Sequence, residues 1–370
     1  MKIGKLVDNN MTMIYISTDL EVQSSGGTVA KYELEAMKKF ALETNDNVIE
    51  INFNDIHPTV FGLPDIPLFI DLLALDRLNQ IDLSEVRLVH MYGGSYFQTI
   101  RMLKSKGIRT TNTIMFHKRE TSISEHERLF GSYPYNYVKD DRLWNLFIGG
   151  IKETDVGIAS GKHPADNMLN EGAKRVEIIP LGCDIPDKDK IKEFPNEFRI
   201  GYIGACGPDK GLFYLIKAWE KLNYRDGSKL IFAGPNTEKI LPNFIRQHVK
   251  TGNYNVLGYM NNIADFYNSI SVYVQPSATE AFGMEVPEVL SYGRPVICSD
   301  GAGAADCITD GEDGFIVPAM NSEAIADKIQ YFKDNPKEII RMGVNARVKS
   351  LNYIWENTKD KYIDLWRSLL

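Results

Sequence analysis

The chain has only four cysteines in 370 residues, Cys183, Cys206, Cys298 and Cys307, and no two of them form a CxxC pair. That scatter excludes a disulfide framework and a zinc ribbon, and it predicts reduced, mostly buried thiols. Long apolar runs are missing as well. No stretch approaches the roughly 20 apolar residues of a spanning helix, and the opening MKIGKLVDNN lacks the apolar segment of a secretory signal, so the expected location is the cytoplasm. Positive charge is in deficit. Lys and Arg number 42 against 49 Asp and Glu, a formal charge of -7 that argues against a nucleic-acid partner. Internal repeats and low-complexity tracts are absent too. What remains is a globular composition, 44% hydrophobic and 25% charged, on a length that suits two domains better than one.

Strand-like runs recur at Met11 to Ser17, Val48 to Phe53, Val86 to Tyr92, Thr111 to His117, Val156 to Ala159 and Val176 to Ile179, with helical patterns between most of them. Such alternation predicts an α/β fold in which a parallel sheet carries helices on both faces. A mixed, aperiodic block from Ile179 to Phe198 reads as a linker, after which the alternation restarts with FRIGYIG, the turn ACGPDKG and the helix LFYLIKAWEKL. The expected organisation is two doubly wound domains facing each other across a cleft. Residues 1–184 form the first and 185–352 the second, and a terminal helix at about 353–370 rejoins the first.

The most informative stretch is PSATEAFGMEVPEVLSYGRPVICSD, Pro276 to Asp300. The apolar strand Ser271 to Gln275 runs into a loop carrying Glu280, Phe282 and Gly283, and a helix is predicted to open at Pro287 and stop at Gly293. Glu280 in the loop and Glu288 in the first helical turn both face the carboxyl edge of the sheet, where open α/β sheets bind ligands. Lys210, in the turn after the first strand of the second half, adds a positive charge at the same edge. Lysine suits a diphosphate, and a carboxylate suits adjacent hydroxyls of a sugar or ribose.

Other features are weaker. Gly26 and Gly27, between the first strand and its helix, allow a tight turn against a ligand. Asp187-Lys188-Asp189 has the form of a metal-binding DxD but reads as a solvated turn, and GAGAAD at Gly301 to Asp306 only partly matches a dinucleotide fingerprint, so no metal or redox cofactor is expected. The run Arg101 to Arg119 holds six basic residues and no acidic one, a local positive patch suited to an anionic membrane surface or a phosphorylated acceptor.

Taken together, these residues resemble the retaining glycosyltransferases of family 4, which have the GT-B fold of two Rossmann-like domains. The pattern PS-x-x-E-x-FG…PE…YG-x-PVI-x-SD carries the resemblance, and GYIGACGPDKG, LIFAGP, NVLGYM, DGEDGFIVP and the terminal YIWENTKDKYIDLW support it. The resemblance implies a nucleotide diphosphate sugar as donor, no metal, and a glycan or lipid-linked acceptor; the basic run Arg101 to Arg119 is the expected peripheral contact with the inner membrane face. It also implies that Glu288 holds the ribose, Glu280 the transferred sugar and Lys210 the diphosphate. Phe282 and Gly283 would touch the sugar through their backbone, Tyr259 would lie against the base, and His117 would face the sugar from the opposite wall. Gly26 and Gly27 would approach the phosphates or acceptor, and Gly204 would end the strand beneath the diphosphate. Two positions depart from the family. Gly204 is followed by Ala205 where an arginine is usual, so another cation such as Lys31 or Lys118 replaces it or donor binding is weaker, and Asp306 stands where glutamate is usual. The implied mechanism is front-face substitution with retention. A partner subunit that binds without turnover, and an epimerase, share the same pattern.

Overall fold

The computed structural model describes residues 11–17, 25–53, 66–94, 96–131, 139–235, 237–248 and 252–370. The strands form two six-stranded sheets. The first contains β1 (Thr12–Ser17), β2 (Asn47–Asn52), β3 (Val86–Tyr92), β4 (Arg109–Thr113), β5 (Val156–Ala159) and β6 (Val176–Ile178), in the order β2-β1-β3-β4-β5-β6. The second contains β7 (Arg199–Ile203), β8 (Lys229–Ala233), β9 (Tyr254–Val256), β10 (Val272–Gln275), β11 (Val296–Ser299) and β12 (Gly314–Val317), in the order β12-β11-β10-β7-β8-β9. All neighbouring pairs are parallel. Helices on both faces explain why strands such as β10 and β11 are buried along their whole length. This is the expected α/β architecture: two parallel, doubly wound sheets.

One strand is displaced from its expected place. The polar run Arg109–Thr113 forms β4, and the apolar Ile114 to Phe116 follows it outside the strand. The hydroxyls of Thr111 and Thr113, both buried, are satisfied by a network. His90 on β3 lies with Nδ1 2.8 Å from Thr111 Oγ1 and Nε2 3.0 Å from Glu33 Oε2. Tyr15 and Tyr362 donate to the Glu33 carboxylate at 3.1 and 2.5 Å, and the Tyr362 and Thr113 hydroxyls are 3.0 Å apart. Tyr362 belongs to the terminal helix Trp355–Leu369, which packs against the helix Ser25–Thr44 of the first sheet and stacks Trp355 on Tyr32 at 4.1 Å between ring centroids.

No helix among the described residues is long and apolar enough to cross a membrane. Within the basic run Lys104 pairs with Glu153 and Arg119 with Asp141, while Arg109 opens β4 and Lys118 follows its end. The Asp187 to Asp189 segment is a single turn, Lys188–Lys190, with Lys190 paired to Asp187 at 3.1 Å. All four cysteines are free.

Candidate functional site

The site is built where three backbone segments of the second sheet press together. After β10 the chain enters the loop Pro276 to Gly283. On one side lies the turn Pro208–Lys210 that follows β7, where the Asp209 carbonyl accepts from Ala278 N at 2.8 Å and from Thr279 N at 3.3 Å. The contact is so close that a Cβ on Gly211, at φ +69°, would stand 1.9 Å from the Pro276 carbonyl oxygen, which requires glycine there. On the other side, Glu280 N donates to Gly301 O at 2.9 Å and Gly303 N to Glu280 O at 3.2 Å. Cβ atoms on Gly301 and Gly303 would collide with Ala278 O and Ala281 O, at 2.6 and 2.2 Å. The glycines of GAGAAD therefore serve loop packing, which gives the partial dinucleotide fingerprint a structural explanation.

This packing brings Lys210 onto Glu280. The ammonium forms an ion pair with Glu280 Oε2, and the Glu280 residue is only 7% exposed. Burial raises the Glu280 carboxyl, but the Lys210 charge, with a smaller contribution from His117, more than offsets it and leaves the group below its usual range. Burial likewise depresses the Lys210 ammonium, and the facing Glu280 and Glu285 outweigh it, so it stays firmly protonated.

The following helix spans Glu285–Ser291 and so begins two residues before the expected Pro287. Pro287 is its third residue, where a helical N–H still lacks an intrahelical acceptor, so proline is tolerated. The helix ends before Gly293, whose φ of +66° favours glycine. Glu288 is half-buried, and Tyr267 donates to its Oε2 at 2.5 Å. Burial pushes the Glu288 carboxyl up to about 7; the Tyr267 hydrogen bond opposes this, and the Glu285 and Asp184 charges add to it.

Residues from the first sheet close the opposite wall. Lys118 N donates to Thr279 Oγ1 at 3.0 Å, and the adjoining His117 keeps a buried Nδ1 with no partner among the described residues. His163 Nε2 lies 3.4 Å from the same Thr279 hydroxyl, and burial first, then the Lys118 and His117 charges, lowers its pKa. Nearby, Ser160 Oγ donates to Ala281 O at 2.9 Å and Lys162 N to Asp306 Oδ2 at 2.5 Å. A Cβ on Gly161 would stand 2.3 Å from Gly303 O. The turn after β5 is thus seated directly on the loop that carries Glu280, and Asp306 serves as the acceptor in that contact.

The remaining expected residues fall as follows. Phe282 is buried and Gly283 has φ +97°. Gly204, at φ +150°, packs beside Tyr202, whose hydroxyl donates to Ala205 O at 2.8 Å. Tyr259 is 72% exposed after β9. Gly26 and Gly27 fall inside the first turn of the helix Ser25–Thr44 rather than in a turn before it, and the loop preceding them is outside the described residues. Lys31 pairs with Glu35 within its own helix, whereas Lys118 stands at the cleft. Glu285, Tyr267 and His163 join the site without having been expected. His163 carried a usable signal, since like His117 it follows a strand end.

Among known proteins, an uncharacterized glycosyltransferase of Haemophilus influenzae is 27% identical over 188 residues, covering 50% of this chain and 51% of that one. The capsular polysaccharide biosynthesis glycosyltransferase CapM of Staphylococcus aureus is 29% identical over 192 residues, covering 48% of this chain and 50% of that one. The chain thus spans about half the length of the curated relatives it matches. Among solved structures, sucrose-phosphate synthase from Thermosynechococcus elongatus superposes with a TM-score of 0.74 at 17% identity, covering 97% of this chain and 99% of that one. Anabaena Alr3699/HepE in complex with UDP and glucose gives 0.65 at 14% identity, covering 97% and 100%. In fold the chain is therefore a GT-B protein, and the part that carries Lys210, Glu280 and Glu288, residues 184–349, matches the family model of glycosyl transferases group 1.

Proposed function

We propose that the protein is a retaining glycosyltransferase that moves a sugar from a nucleoside diphosphate sugar to an acceptor hydroxyl, without a metal ion. The observation that carries this reading is the convergence of the Lys210–Glu280 pair and the Glu288 carboxyl on one crevice, within the segment that matches the group 1 model. Glu288 accepts from the ribose hydroxyls, Glu280 from hydroxyls of the transferred sugar, and Lys210 neutralises the diphosphate. As the bond from the anomeric carbon to the leaving phosphate oxygen breaks, Lys210 and the backbone N–H groups of the loop stabilise the departing charge. The acceptor oxygen bonds to the anomeric carbon on the face that the phosphate leaves, and its proton passes to a phosphate oxygen. The free Nδ1 of His117 supplies a polar group on the opposite wall. CapM's name points to a glycan acceptor, and a polysaccharide or lipid-linked glycan is the acceptor class proposed here.

Incubation with sugar nucleotides and glycan acceptors, with and without EDTA, tests the reading. Release of nucleoside diphosphate tied to acceptor glycosylation is expected in both conditions. Binding without release would instead favour a partner subunit without turnover, which the engagement of Lys210 by Glu280 would suit. An altered sugar without transfer would identify an epimerase.

A further inference from the structure

We propose that Lys118 is the second cation of the donor site: its ammonium hydrogen-bonds the diphosphate from the first-sheet wall and stabilises the charge that the departing phosphate oxygen gains. The inference rests on the reading of the crevice as a sugar-nucleotide site. A charge inventory shows what the second sheet lacks. Its wall presents the carboxyl groups of Glu280, Glu285 and Glu288, and the facing ammonium, Lys210, is already paired to Glu280. A Cβ on Gly204 would stand 3.6 Å from Glu285 Oε1, so a carboxyl lies beside the end of β7, and the exposed Ala205 that follows brings no charge there. A doubly charged diphosphate gains a further charge as its bond to the anomeric carbon breaks, because the electron pair stays on the phosphate oxygen. Lys210 alone leaves that charge unbalanced.

Lys118 is placed to make up the deficit. It is the N-cap residue of the helix Arg119–Phe130, which follows the first sheet in the chain but is fastened to the second domain. That helix packs against the turn Pro208–Lys210. Tyr214 donates to Glu125 Oε2 at 3.0 Å, Arg128 donates to the Tyr214 hydroxyl at 3.2 Å, and the Arg128 guanidinium lies 4.5 Å from the Phe213 ring centroid. At the start of the helix one threonine joins the two lysine segments. The Thr279 hydroxyl accepts from Lys118 N at 3.0 Å, and Thr279 N donates to the carbonyl of Asp209, the neighbour of Lys210, at 3.3 Å. Both lysines therefore flank Glu280, the residue after that threonine. The Lys118 side chain is exposed and forms no hydrogen bond or ion pair among the described residues, and its charge bears on His163, which borders the same Thr279 hydroxyl. Neighbouring cations of the first half are paired, Lys31 with Glu35, Arg119 with Asp141, Arg128 with Glu125 and Lys162 with Asp166. Lys118 donates a hydrogen bond and keeps its proton throughout; the acceptor's proton goes to a phosphate oxygen.

The test uses the donor and acceptor that support nucleotide release by the wild type, with Lys118→Ala and Lys118→Arg. Both variants keep the backbone N–H that meets Thr279, and an unchanged melting temperature checks the fold. Lys118→Ala is expected to lower kcat by roughly ten- to a hundredfold with little change in acceptor KM, and Lys118→Arg to keep most of the activity. The loss is smaller than at Lys210 because solvent screens an exposed ammonium. A second arm is independent of turnover: calorimetry with UDP, ADP and GDP and with the matching monophosphates. Lys118→Ala should weaken the nucleoside diphosphate that binds by about tenfold and leave its monophosphate nearly unchanged. A kcat and a diphosphate affinity equal to those of the wild type would overturn the proposal. So would a loss confined to acceptor KM, which would place Lys118 on the acceptor, or an equally deep loss in Lys118→Arg, which would mean that the charge is not what matters. If the wild type neither releases nor binds any of these nucleotides, the reading of the site fails together with this inference; if it does and Lys118→Ala matches it, only this inference fails.

Discussion

The two halves of the molecule bury carboxylates in opposite ways. In the first half Glu33 is fully enclosed, yet two tyrosine hydroxyls and a histidine nitrogen meet its oxygens. In the second half Glu280, Glu285 and Glu288 crowd one wall with a lysine and a tyrosine as their direct partners. A buried charge whose acceptor sites are filled from within organises structure, whereas an under-partnered cluster at a cleft leaves capacity for a ligand. The contrast separates residues that hold the fold from residues that act in it.

The comparison breaks most severely at Glu33. Glu33→Ala takes one partner each from His90, Tyr15 and Tyr362 and removes an anchor of the terminal helix, so a loss of about 2–4 kcal/mol is expected in denaturant unfolding. A loss under about 1 kcal/mol would show that the network is not structural in this sense. On the other side, Lys210→Ala or Glu280→Ala should lower turnover by roughly two to three orders of magnitude in a nucleotide-release assay, with the fold intact.

The contact between the halves comes next. Gly161→Ala drives a Cβ into the Gly303 carbonyl, and the resulting misplacement of the Glu280 loop against the first sheet should cost up to about 100-fold in kcat/KM. Sugar-nucleotide affinity should change much less, because the donor residues, Lys118 apart, lie in the second half.

The smallest effect is one of stability against pH. Glu288 titrates near 7 in the folded chain, above the ordinary glutamate value of 4.5, so the folded state holds its proton more tightly than the unfolded state. Its contribution to stability is fully present below about pH 4.5 and is lost as pH rises through about 7. Glu288→Gln should therefore raise stability by about 1–3 kcal/mol at pH 8 and have little effect at pH 4. Equal effects at both pH values would place Glu288 in solvent.

Much of this was legible in the sequence because the second half states its case locally. The strands Val272–Gln275 and Val296–Ser299 are short apolar runs, and Glu280 and Glu288 are held at fixed spacing between them. The displaced β4 shows where local reading stops. The expected strand is Thr111 to His117, and its earlier frame, Arg109–Thr113, follows from His90 and Tyr362 of the terminal helix, distant in the chain, which meet the hydroxyls of Thr111 and Thr113. Glu285 was illegible for a related reason. A glutamate in the first turn of a helix ordinarily faces water, and only the approach of Gly204 and Lys210 makes it part of a crevice.

The most direct measurement of the central claim is the melting temperature of the wild type and of Glu288→Ala across a panel of nucleoside diphosphate sugars. A ligand that binds only the folded state stabilises it by about 2.7 kcal/mol at a concentration 100 times its Kd. At least one member of the panel is expected to raise the wild-type melting temperature and to leave Glu288→Ala nearly unmoved. A wild type indifferent to the whole panel, or a variant stabilised equally, would contradict the assignment of the crevice to a sugar nucleotide.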